Sequence, residues 1–125
     1  MGRLLVKPGV EFGDLLAPAG ARILDVAKKV ADLLDFDVTI TSARDGVHSG
    51  PNDPHHKGEA FDFRTNTLQP EQKAHLLTSL QNGLYTSKPR RFYIFLEAAG
   101  LPNEHIHAQR RLGTVYNIYD YLSNA

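Results

Sequence analysis

The sequence predicts an α+β domain, an antiparallel sheet with helices packed on it. Three observations lead there. Segments of helical period and segments of β character follow one another as helix, strand, strand, helix, strand, strand, helix. The later strand pair is joined by a short turn, Gly100-Leu101-Pro102-Asn103, which favours antiparallel pairing. The chain has 125 residues, 42% of them hydrophobic, enough for one domain spanning 1–125 with its own core.

The opening, up to Gly13, reads as irregular. From Pro18, residues Ile23, Ala27, Val30, Ala31 and Leu34 form one apolar stripe, with Lys28, Lys29 and Asp32 opposite, so a helix runs to about Asp35. Asp37 to Thr41 is short and β-branched, hence a strand. Residues 42–58 carry Gly46, Gly50, Pro51, Pro54 and Gly58, and form a long loop of the kind that usually carries function. Glu59 to Arg64 is a second strand, with Ala60 and Asp62 on one face and Phe61 and Phe63 on the other. Pro70-Glu71-Gln72 starts a helix whose buried stripe is Leu76, Leu77 and Leu80, with Gly83 as its C-cap. Phe92 to Glu97 and His105 to Arg110 are the strands of a hairpin. Thr114 caps a last short helix bearing Tyr116, Tyr119 and Leu122, or the same residues form an edge strand.

Composition removes several functions. Fourteen basic and fourteen acidic residues give no net charge, against a general nucleic-acid binder. There is no cysteine, so disulfide scaffolds, thiolate metal sites and cysteine nucleophiles drop out, and any metal is held by His and carboxylate. No apolar run is long enough to span a membrane. The N-terminal run Leu4-Leu5-Val6 is too short for a secretory segment, and Val6 breaks the myristoylation pattern. The chain therefore reads as cytoplasmic until something releases it.

Five of the six histidines form two clusters: His48, His55 and His56, then His105 and His107. His75 stands alone among helix leucines and reads as structural. His55 precedes a glycine that permits a sharp turn, and Asp62 lies on the strand that follows, with small Ala60 beside it. A loop imidazole folded over a strand carboxylate is half of a metal site, and the second cluster supplies an imidazole from another strand. Two His, one carboxylate and an open position is the plan of a catalytic zinc centre. The competing reading pairs Asp62 with Arg64 or Arg44 in a salt bridge. His105 shares a face with His107 and serves as a support, a substrate contact or a rival ligand. His48 lines the cleft or sits in solvent.

The segment His55-x-x-Gly58-x-Ala60-x-Asp62, with Glu104-x-x-His107 later, resembles the zinc peptidases that act as D-alanyl-D-alanine carboxypeptidases and L-alanyl-D-glutamate endolysins. Asp45-Gly46-Val47-His48-Ser49 is similar to a phage-associated branch of that family. The resemblance implies a Hedgehog/DD-peptidase-like fold, with zinc on His55, Asp62 and His107 and Glu104 as general base. It prefers His55 to the adjacent His56. It would give Arg44 a substrate contact, although Ser42-Ala43 replaces the family's usual Gly-Tyr; His48 and His105 join it as substrate contacts on their position in the loop and strand. Asp53 replaces the family's serine before the first histidine. The implied partner is a peptidoglycan stem peptide, cut by a monomeric enzyme. A zinc-holding binding module of the same fold is the alternative. One geometric condition follows from strand alternation: Glu104 and His107 reach one metal only if a turn or bulge redirects Glu104.

Overall fold

Pro18 supplies the first turn of α1 (Pro18–Leu33), where its missing N–H is no loss. The computed structural model describes residues 2–13, 17–43, 55, 59–84 and 92–111. The buried face of α1 includes Ile23, Ala27, Val30 and Ala31 from the stripe that the periodicity predicts, together with Ala19 and Val26, which that stripe leaves out; Leu34, its last member, is buried at the C-cap. Helix α2 (Pro70–Leu84) buries Leu76, Leu80 and Leu84, while Leu77 is half-buried. Gly83 is not a C-cap, because the helix continues through it. A Cβ there would stand 2.5 Å from Val26 Cγ1, so the glycine lets α1 and α2 approach closely. His75 is exposed, in line with a structural place.

Five strands form one sheet: β1 (Leu4–Val6), β2 (Val38–Ser42), β3 (Ala60–Arg64), β4 (Phe92–Glu97) and β5 (His105–Arg110), in the order β1-β2-β3-β5-β4. Pairs β2–β3, β3–β5 and β4–β5 are antiparallel. The segment expected to be irregular holds β1, which pairs parallel with β2 through Leu4↔Val38 and Val6↔Ile40. The sheet is therefore mixed, not purely antiparallel. A three-residue strand is too short to show alternation, and its hydrogen bonds come from a partner far along the chain. Lys7 N–H donates to the Ile40 carbonyl at 2.9 Å and Val38 N–H to the Arg3 carbonyl at 2.9 Å.

Both helices cover one face of the sheet. Phe61, Phe63, Ile94, Ile106 and Ala108 point into that layer and are buried. Phe61 and Phe63 are fully enclosed; truncating either to alanine should cost about 3–5 kcal/mol. Because side chains alternate along each strand, Asp62, Arg64, His105, His107, Gln109, Phe95 and Glu97 fall on the opposite face. The proposed last helix lies outside the described residues.

Candidate metal centre

The pairing of β3 with β5 sets Asp62 opposite His107, and β4 adds Phe95 opposite His107. Asp62 and His107 are thus cross-strand neighbours on the helix-free face. His55 comes from the 42–58 segment and folds back over the carboxylate. Its Nε2 lies 3.1 Å from Asp62 Oδ1, and His107 Nδ1 lies 2.9 Å from the same oxygen. The two rings meet edge to face at 4.9 Å. The side chains of His55, Asp62 and His107 are only 5%, 13% and 7% exposed, so water competes weakly here. One nitrogen or oxygen from each residue lies within 4.8 Å of the others. That separation suits three ligands around one small cation with bonds near 2 Å. The donor set fits a metal: two imidazoles and a carboxylate, with no thiolate.

Burial is the largest single influence on Asp62 and favours its neutral form. The hydrogen bonds from His107 and His55, with the charge of His55 and His105, outweigh it, so the carboxyl is held below the ordinary range. Burial likewise lowers His107, but its bonds to Asp62 and Gln109 prevail and raise its pKa. The polar cluster is therefore anionic at its centre and ready to accept positive charge, whether protons or a cation.

Gln109 has no place in the sequence-level reading. His107 Nε2–H donates to Gln109 Oε1 at 2.6 Å, which leaves Nδ1 aimed at Asp62. This bond fixes the orientation of the ring, the usual work of a residue behind a metal-binding histidine. The signal was present in the strand period: Gln109 stands two residues after His107, on its face. His105 is held in a similar way. Its Nδ1–H donates to the Asn103 carbonyl at 2.8 Å, leaving Nε2 3.4 Å from Glu97 Oε2 and 3.7 Å from Asp62 Oδ1. Glu97, His105 and His107 make a second, overlapping group of possible ligands.

Glu104 is not brought to this cluster. It precedes β5 with the parity of Ile106, so its carboxylate turns towards α2. Thr65 Oγ1–H donates to Oε1 at 2.7 Å, Gly100 N–H donates to Oε2 at 2.8 Å, and Lys73 Nζ lies 2.9 Å from Oε1. The Gly100 amide, then Thr65 and Lys73, hold its carboxyl down at about 2. The turn wrapped around it places Ala98 and Gly100 at φ of 54° and 79°. No bulge redirects Glu104 to the metal side. The Asp62–Arg64 salt bridge is likewise not formed, since both imidazoles occupy the aspartate. Arg44, His48 and His56 lie outside the described residues.

No family model, curated protein or solved structure matches this chain. Among the described residues, no helix is long and apolar enough to cross a membrane.

Proposed function

We propose that this chain is a zinc-dependent metallopeptidase with a Hedgehog/DD-peptidase-like fold, cutting peptide bonds of peptidoglycan stems. The observation that carries the reading is the meeting of His55, Asp62 and His107, drawn from distant parts of the chain, on the helix-free face. His55, Asp62 and His107 would hold zinc, which would supply Lewis acidity toward a peptide carbonyl and activate water for attack. Asp62 contributes the negative charge, and Gln109 orients His107. The base expected from the resemblance, Glu104, already accepts hydrogen bonds at both oxygens. Glu97 is the better-placed carboxylate: it faces His105 and His107 at 3.4 and 3.7 Å and its side chain is 40% exposed. It is free to take a proton from an attacking water and return it to the leaving amine.

The test uses the zinc-loaded chain and purified peptidoglycan, with mass spectrometry of the released fragments and metal analysis in parallel. One zinc per chain and fragments ending at L-alanine or lacking terminal D-alanine are expected. Glu97→Gln should keep zinc and abolish release; full hydrolysis by that variant removes Glu97 from the role. The engaged state of Glu104 favours the second reading, a module that holds zinc and binds without hydrolysis. Zinc retention with no fragments from the wild-type chain decides for it.

A further inference from the structure

The helix-free face carries more donors than one cation uses. Strand register sets Glu97 opposite His105, just as it sets Phe95 opposite His107. His105 Nδ1–H is committed to the Asn103 carbonyl at 2.8 Å. A carbonyl only accepts, so in the neutral ring the lone pair sits on Nε2. That lone pair faces two carboxylates, Glu97 Oε2 at 3.4 Å and Asp62 Oδ1 at 3.7 Å. Both separations are longer than the roughly 2.7–3.2 Å of an N–H···O hydrogen bond. They match the spacing of two ligands on one tetrahedral ion, whose donors stand about 3.4 Å apart when each bond is near 2 Å. His107 belongs to both possible ligand groups, but its Nδ1 can bind only one ion. It lies 2.9 Å from Asp62 Oδ1 and 3.7 Å from Glu97 Oε1, so it goes with the trio. A cation on His55, Asp62 and His107 therefore leaves Glu97 Oε2 and His105 Nε2 unclaimed, with Asp62 between the two groups. The side chains of His105 and Glu97 are 20% and 40% exposed, so ions from solvent reach them.

We infer that Glu97 and His105, with Asp62 as a shared carboxylate, hold a second divalent cation beside the first. An imidazole paired with carboxylates suits zinc-like transition ions, whereas calcium and magnesium prefer sites made of oxygen alone. The second ion binds more weakly than the first. It has fewer ligands of its own, competes with water at an open site, and is repelled by its neighbour. At one equivalent of metal the trio fills and Glu97 stays unligated; in excess metal the second site fills as well. The consequence for hydrolysis rests on the peptidase reading. A cation on Glu97 takes away the carboxylate that receives the proton, so metal beyond the first equivalent inhibits.

The test starts from the full chain loaded with one zinc and freed of excess metal. Cobalt(II) chloride is titrated in, and its visible absorption is followed together with the metal content of the protein. One cobalt should bind per chain while the zinc is retained. His105→Ala and Glu97→Gln should each lose the cobalt and keep the zinc, and the retained zinc shows that the sheet is still folded. A chain that takes up no cobalt, cobalt that enters only as zinc leaves, or cobalt that persists in either variant overturns the second site. A chain that holds neither metal overturns it together with the trio. Fragment release from peptidoglycan, measured from one zinc equivalent to saturating excess, separates the two ideas. Release should fall by about a hundredfold at saturation, the contribution of a positioned base. That fall should vanish in His105→Ala, whatever the basal rate of the variant. Release at one equivalent with no second binding event removes the second site alone. A second binding event in a chain that releases nothing at any loading removes the peptidase alone, and release unaffected by the second ion takes the base role from Glu97.

Discussion

Asp62 in the middle of β3 and Glu104 just ahead of β5 are both held ionised, but by different kinds of neighbour. Asp62 accepts from two imidazoles against the opposing effect of burial. Glu104 accepts from a backbone amide, a hydroxyl and an ammonium. An imidazole that gives up its proton becomes a metal ligand; the Gly100 amide and the Thr65 hydroxyl have no such second role. The first carboxylate is therefore half of an exchangeable site, and the second is an anchor that ties the β4–β5 turn and α2 to the start of β5. Strand parity makes the division: His105 and His107 face away from the helices, while Glu104, Ile106 and Ala108 face towards them.

Replacing Asp62 by asparagine attacks the first half of this comparison and should have the largest effect. Loss of the only carboxylate in the trio should weaken zinc binding by on the order of a hundredfold or more, beyond what loss of a supporting residue gives. Competition against a chelator of known affinity measures it; zinc binding at wild-type strength would show that Asp62 is no ligand. Glu104→Ala attacks the second half. It leaves Thr65 and Lys73 without their acceptor and frees the turn at Ala98 and Gly100, so the thermal midpoint should fall by several degrees while zinc stoichiometry stays the same. Loss of zinc with stability intact would reverse the two roles.

The anchor also has a pH signature. The Glu104 carboxyl moves from an ordinary 4.5 to about 2 in the fold. A depressed folded pKa means its stabilisation is complete above the unfolded value and is lost as pH falls through the folded one. The gap in thermal midpoint between wild type and Glu104→Gln should therefore be widest above pH 4.5 and shrink towards pH 2. A gap constant over that window would show that the charge of Glu104 contributes nothing. The smallest effect should come from Gln109→Ala. It removes the acceptor on His107 Nε2 and should weaken zinc binding about tenfold, with the fold unchanged.

Much of this was legible in the chain. The stripe Ile23, Ala27, Val30, Ala31 and Leu34 gave α1, and the alternation in Ala60–Arg64 correctly separated Asp62 from Phe61 and Phe63. The histidine–glycine–aspartate spacing placed His55 over Asp62, a local matter of seven residues. Alternation also stated in advance that Glu104 and His107 diverge unless the strand is broken, and no break is there.

Other features depended on distant partners. Leu4–Val6 is a strand only because β2 lies beside it, and Gly83 is a helix contact only because Val26 crosses it. Periodicity is a property of a few consecutive residues, so a sequence records which face each side chain takes. Which carboxylate meets imidazoles and which meets a lysine are set by register and helix docking. Those are fixed by the sum of many weak contacts across the whole core, which no short segment carries by itself.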